Sequence, residues 1–186
     1  MSADGKFFVR WRVRTGYLVT IVVLWFARPI PRNILYGAAI GLIGLLIRAY
    51  AAGYLHKQEV LTMTGPYAYT RNPLYLGSSL LALGAGVATR SWISAALLLV
   101  YFAVFYSMVM RREELELRQR HGAAFDAYAK AVPLFFPRLA AAAAAGAGTF
   151  SLAQYKRNRE WKAALGFLLL LVLLFVRGHV RLPFVD

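Results

Sequence analysis

Residues 33–55 read NILYGAAIGLIGLLIRAYAAGYL, an apolar run in which Arg48 is the single charged side chain. As a helix this run is about 34 Å long, enough to cross a hydrocarbon layer of ~30 Å. Gly37, Gly41 and Gly44 recur at helical spacing within it, so one face offers a close approach to a second helix. Four more apolar segments lie outward from it, at about 15–28, 74–89, 92–110 and 162–177. The connector Arg28-Pro29-Ile30-Pro31-Arg32 cannot continue a helix and predicts a tight hairpin between the first two spans. Ala88-Thr89-Arg90-Ser91 joins the third and fourth in the same way. A hydrophobic share of 60% and a mean hydropathy of +0.53 exceed what a soluble domain can hide. The expected architecture is an all-α integral membrane protein, a single domain over 1–186 with about five transmembrane helices.

The net charge of +14 is distributed around those spans, not gathered on a soluble patch, which argues for membrane lipids as partners and against nucleic acid. Lys6, Arg10, Arg12, Arg14, Lys57, Arg71 and every Lys and Arg from Arg111 to Lys162 fall on one side; Arg28, Arg32, Arg90, Arg177 and Arg181 fall on the other. Basic residues near span ends stay cytoplasmic, so the N-terminus is expected in the cytoplasm and the C-terminus on the opposite side. Without cysteine the chain has no disulfide, thiolate ligand or thiol nucleophile, and three scattered His residues indicate no metal site. The first apolar run ends without a small-x-small cleavage signature and reads as a span.

That orientation places two loops, 56–73 and 111–160, on the cytoplasmic side. The first contains GPYAYTRNPLYLG, residues 65–77, dense in aromatic and polar groups between two prolines that fix the backbone. The second begins REELELRQRHG at Arg112 and continues to VPLFFP at 132–137. Glu114 and Glu116 stand four residues before Arg118 and Arg120, as in solvated helix pairs, whereas Glu113 has Leu117 at that position. Glu113 is therefore the better candidate for function. Arg48, a charge inside a span, needs a partner or a role. His121 reads as a surface residue, and the Ala/Gly segment 139–149 as a helical or flexible surface connector.

Together these two stretches resemble the isoprenylcysteine carboxyl methyltransferase and phospholipid methyltransferase superfamily. The first matches G-x-Y-x-x-x-R-H-P-x-Y-x-G except at one position; the second matches its Glu-Glu pair, a Gly eight residues after Glu114, and V-P-x-x-x-P. The resemblance implies S-adenosylmethionine as cofactor, bound at the cytoplasmic membrane face, and a lipophilic or membrane-embedded substrate. Carried over by motif, the cofactor residues are Lys57, Gln58, Glu59, Val60, Leu61, Thr62, Tyr67, Asn72, Pro73, Leu74, Tyr75 and Glu113. Glu113 and Arg71 are assigned to catalysis, and Arg111, Arg112 and Glu114 to substrate. The side chains suit these roles: tyrosine rings attract a sulfonium cation, Lys57 or Arg71 can meet a carboxylate, and Glu113 can accept from an amine or ribose hydroxyl.

Two positions depart from the pattern. Asn72 stands where the family has His, keeping a donor and an acceptor but losing a titratable group. Val109 stands where the isoprenylcysteine enzymes carry an Arg associated with the substrate carboxylate, which weakens the case for a prenylcysteine, although Arg111 and Arg112 are close by. An NADPH-dependent membrane reductase with a related loop, or a non-catalytic scaffold, are the competing classes; nicotinamide binding or no cofactor binding at all would mark them.

Overall fold

The computed structural model describes residues 3–56, 60–142 and 148–179, with the side chains of the first helix described from Arg14 onward. Every regular element among these residues is helical. In chain order they are α1 (Ala3–Phe26), α2 (Pro31–Tyr54), a 3-10 turn (Gly65–Ala68), α3 (Pro73–Thr89), α4 (Trp92–His121), α5 (Ala123–Ala131), α6 (Leu152–Asn158) and α7 (Trp161–His179). The five expected spans correspond to α1, α2, α3, α4 and α7. Among them α2, α4 and α7 are long and apolar enough to cross a membrane, while Arg14–Phe26 and Pro73–Thr89 are shorter apolar helices. Large side chains such as Leu18, Leu46, Leu168 and Val176 are exposed, as lipid-facing residues must be. The protein is an all-α integral membrane protein.

Lipid gives helices little hydrophobic reason to associate, so they join where small residues let backbones approach. α2 and α3 form the main contact of the bundle. A Cβ on Gly44 would fall 2.5 Å from the Gly77 carbonyl oxygen, and one on Gly37 would collide with the Gly84 carbonyl and Ala88. Gly41 leaves room instead for the ring of Phe167 on α7, and Gly86 faces Ala95 on α4. α4 also reaches α1, where Ser94 Oγ donates to the Val23 carbonyl at 2.9 Å.

The two ends of the bundle differ. At one end the α1–α2 connector meets the α3–α4 turn, with Arg28 N donating to Thr89 O at 2.9 Å. Ala27, Ala88 and Leu174 form a fully buried cluster there, and Gly178 at the end of α7 lies beside Pro29. Arg90 closes α3 in the left-handed region at φ 50°. The opposite end gathers the 55–72 loop, the extension of α4, α5 and α6.

The Ala/Gly connector lies at the surface as expected over its described residues, apart from Ala142, which is buried. Residues 143–147 lie outside the described residues, but its flanks are packed: Ala142 is buried against Phe125, Tyr128 and Val132, and Gly148 abuts Thr64. Ser151 N then donates to Gly53 O at 3.0 Å, and Asn158 Nδ2 donates to the Ala52 and Leu55 carbonyls at 2.8 and 2.9 Å. α6 thereby satisfies carbonyls that the end of α2 leaves open.

Gly44→Leu should lower the thermal unfolding midpoint of the detergent-purified protein by several degrees, given an overpacking cost of about 1–3 kcal/mol. Gly166→Leu, at a position with no neighbouring atom within 4 Å, should leave the midpoint unchanged.

Candidate functional site

The loop between α2 and α3 is fixed from both sides. Gly65 has φ +57°, and a Cβ there would meet the Tyr54 ring at 2.6 Å, so this position requires glycine twice over. Beyond the 3-10 turn, residues 68–72 are stitched to 133–142. Arg71 N donates to Pro133 O at 3.0 Å, Arg138 N to Tyr69 O at 3.0 Å, and Ala142 N to Ala68 O at 3.1 Å. Thr70 Oγ1 donates to Phe135 O at 2.8 Å, and Asn72 Nδ2 to Leu134 O at 2.9 Å. Tyr128 Oη donates to the Tyr67 carbonyl at 2.8 Å. The V-P-x-x-x-P segment is thus a strap whose carbonyls hold the first motif in place. Asn72 serves this strap by its amide, a role that needs no titration.

Between loop, strap and helix ends lies a cavity of about 380 Å³, within the usual range of roughly 300–1,000 Å³ for small-molecule sites. Of the residues singled out from sequence, Val60, Leu61, Thr62, Tyr67, Arg71, Asn72, Pro73, Leu74, Tyr75, Glu113 and Glu114 line it. Lys57, Gln58 and Glu59 lie outside the described residues. Arg111 and Arg112 do not border the cavity: Arg111 is exposed, and Arg112 Nε donates at 3.1 Å to Glu116, which does line it.

The pairings expected along α4 are replaced by others. Glu114 Oε1 meets Arg71 Nη1 at 2.7 Å, a charge contact across the cavity wall, instead of Arg118. Glu116 takes Arg112 instead of Arg120, and Arg118 takes Asp126 at 2.7 Å. The cause is the turn at Gly122, φ 50°, which folds α5 back and brings Asp126 within reach of Arg118. Spacing on a single helix does not reveal such partners. Glu113 Oε1 accepts from Tyr75 Oη at 2.7 Å, and Tyr106 packs edge-on against the Tyr75 ring at 5.3 Å.

The Tyr67 hydroxyl is buried and has no hydrogen-bond partner among the described residues. Burial, and then the neighbouring Tyr128, Glu160 and Glu113, push its ionisation well above the usual tyrosine range, with Arg48 opposing. Tyr67 therefore presents an intact O–H. Burial raises Tyr128 as well, against Arg71.

Ten lining residues were not assigned from sequence, among them Arg48, His56, His121 and Glu160. Arg48 was recognised only as an uncomfortable charge; its guanidinium donates to Leu74 O at 3.0 Å, to Ser78, and to Glu160 Oε2 at 2.6 Å. With eight Asp and Glu residues in the chain, the partner that Arg48 demands came from a short list. His56 Nδ1 lies 2.8 Å from Gln154 Nε2, and His121, expected at the surface, also borders the cavity. Glu160 carried no motif signal.

Residues 33–124 match the sequence profile of the phospholipid methyltransferase family. The chain is 34% identical over 152 residues to the nickel-cobalt-cadmium resistance protein NccN of Alcaligenes xylosoxydans xylosoxydans, covering 74% of this chain and 70% of that protein. It is 34% identical over 157 residues to the cobalt-zinc-cadmium resistance protein CzcN of Cupriavidus metallidurans, covering 80% and 71%. It is also 32% identical over 82 residues to the protein-S-isoprenylcysteine O-methyltransferase of Schizosaccharomyces pombe, covering 44% and 35%. No solved structure matches the chain. The chain belongs to the phospholipid and isoprenylcysteine methyltransferase superfamily of membrane proteins.

Thr70→Val keeps the shape but leaves the Phe135 carbonyl without its donor, a loss of about 1–3 kcal/mol when the group stays buried. Amide hydrogen exchange across 133–142 should accelerate by roughly tenfold or more while exchange within α2 is unchanged.

Proposed function

We propose that this chain transfers a methyl group from S-adenosylmethionine to a lipophilic acceptor at the cytoplasmic face of the membrane. The observation that carries this reading is the convergence on one cavity of the family loop, Glu113 from α4, and a buried Tyr67 hydroxyl that lacks a partner. An unsatisfied polar group in such a place is costly unless a ligand completes it.

The residues suit the cofactor. The volume of about 380 Å³ suits a ligand of nucleoside size. Tyr67 and Tyr75 supply aromatic surface for a cation, and the Tyr75–Glu113 hydrogen bond fixes that ring. Glu113 remains a carboxylate acceptor for hydroxyl or ammonium groups, and Leu61, Leu74 and Phe125 supply apolar wall. When bound, S-adenosylmethionine supplies a methyl group already activated on sulfur. What is left for the protein is alignment and exclusion of water, the main work in such a transfer. The loop is held by at least five hydrogen bonds to the strap and α5, the kind of rigidity that alignment needs.

For the acceptor, a phospholipid amine, a prenylcysteine-like carboxylate and a small hydrophobic nucleophile are the classes that fit a site opening at the membrane face. Asn72, tied to Leu134 O, is not a proton acceptor in this scheme.

Titration of the detergent-purified protein with S-adenosylhomocysteine should show binding, and NADPH should show none. Glu113→Ala and Tyr75→Ala should weaken that binding by at least about tenfold, in line with loss of a charge-assisted contact. Arg32→Gln at the far end should bind as the parent does. Binding of NADPH alone would make the protein a reductase, and binding of neither ligand would leave a scaffold.

The orientation has its own test, made simple by the absence of native cysteine. A cysteine at Asp126 should be shielded from a membrane-impermeant maleimide added outside cells, and one at Ser91 should be labelled. The reverse pattern would invert the topology.

A further inference from the structure

Arg48 lies six residues before the end of α2 at Tyr54, about 9 Å down the helix from the loop. Glu160 reaches it from the turn that precedes α7, and its side chain is only 9% exposed. Two buried polar atoms on this wall of the cavity lack hydrogen-bond partners among the described residues. Arg48 Nε is a buried donor without an acceptor, and Tyr67 Oη is a buried hydroxyl without either. Glu160 accepts from Arg48 through Oε2, and no other hydrogen bond reaches its carboxylate among the described residues. All three residues line the one cavity, and the Tyr67 hydroxyl is close enough to feel both charges.

A group that completes this wall needs acceptor oxygens for Arg48 and Tyr67 beside a donor for Glu160. A carboxylate next to an ammonium has that arrangement. An ion pair meeting a zwitterion also adds no net charge to a poorly solvated region, where an unmatched ion is expensive. The second pair on the cavity, Arg71 and Glu114, also leaves Arg71 Nε buried without an acceptor, but the phenol beside it, Tyr128, already donates to the Tyr67 carbonyl, so no unpartnered hydroxyl stands with that pair.

We propose that Arg48 and Glu160 form the subsite for the α-amino-acid end of the methyl donor, with Glu160 accepting from its ammonium and Arg48 and Tyr67 donating to its carboxylate. This rests on the S-adenosylmethionine reading above. It assigns a binding role to Glu160, which lies beyond the stretch matched to the family, 33–124.

The test is a cycle of two ligands and two proteins, read by calorimetry on the full chain. The ligands are S-adenosylhomocysteine and its deamino analogue, which lacks only the amino group; the proteins are the parent and Glu160→Gln. In the parent, loss of the amino group should weaken binding about tenfold, the scale of one charge-assisted hydrogen bond. In Glu160→Gln the two ligands should bind within about twofold of each other, since the partner of the amino group is gone. An equal loss in both proteins, or none in either, overturns the subsite while leaving the cofactor reading intact. Failure of the parent to bind S-adenosylhomocysteine at all defeats the cofactor reading and the subsite with it.

Discussion

The contact between α2 and α3 is the constraint on which the remaining structure depends. Gly37 against Gly84 and Gly44 against Gly77 bring two backbones together where no bulkier residue fits. Because these helices are the two stems of the 55–72 loop, their spacing sets the distance that the loop must bridge. It also brings Leu74 O and Ser78 within reach of Arg48, so a charge inside α2 is satisfied by the neighbour that the glycines admit. Packing in the apolar layer and polar order at its edge are one problem here, solved by the same pair of helices.

Hydrogen bonding completes what packing begins. The loop carries few backbone bonds of its own, and a distant segment supplies them through the carbonyls of 133–135 and the amides of Arg138 and Ala142. Phe125, Tyr128 and Val132 pack beneath that strap as a small core outside the bundle. The site thus stands between two kinds of stabilisation, close helix contact on one side and a compact aqueous-facing cluster on the other. The Tyr67 carbonyl is used by the cluster while its hydroxyl is left to the cavity.

The spans were legible because apolar runs in a bilayer protein are nearly a direct record of its helices, and the proline connectors marked their ends. The loop residues from Val60 to Tyr75 and Glu113 were legible because their identities and spacing form a motif. Charge partners were not. Glu114 and Glu116 read as pairs with Arg118 and Arg120, but α5 and Arg71 redirected them, and such choices depend on tertiary placement. Arg111 and Arg112, near the motif in sequence, do not line the cavity; Arg112 instead pairs with Glu116, which does. Glu160 was invisible for a related reason: its only signal was the need of Arg48 for an acid, and that need has no sequence address. The Ala/Gly stretch was legible as a surface connector, but the burial of Ala142 against Phe125, Tyr128 and Val132 was not.

The separation between Arg48 and Glu160, 112 residues, bears on how the protein is made. At elongation rates of about 5–20 residues per second, Arg48 emerges roughly 5–20 s before its acid is synthesised. During that interval the guanidinium has only the α2–α3 hairpin to satisfy it, through Leu74 O and Ser78. Insertion of α7 then delivers Glu160 and closes the inner wall last. The Arg48–Glu160 pair therefore forms well after both motifs have been synthesised.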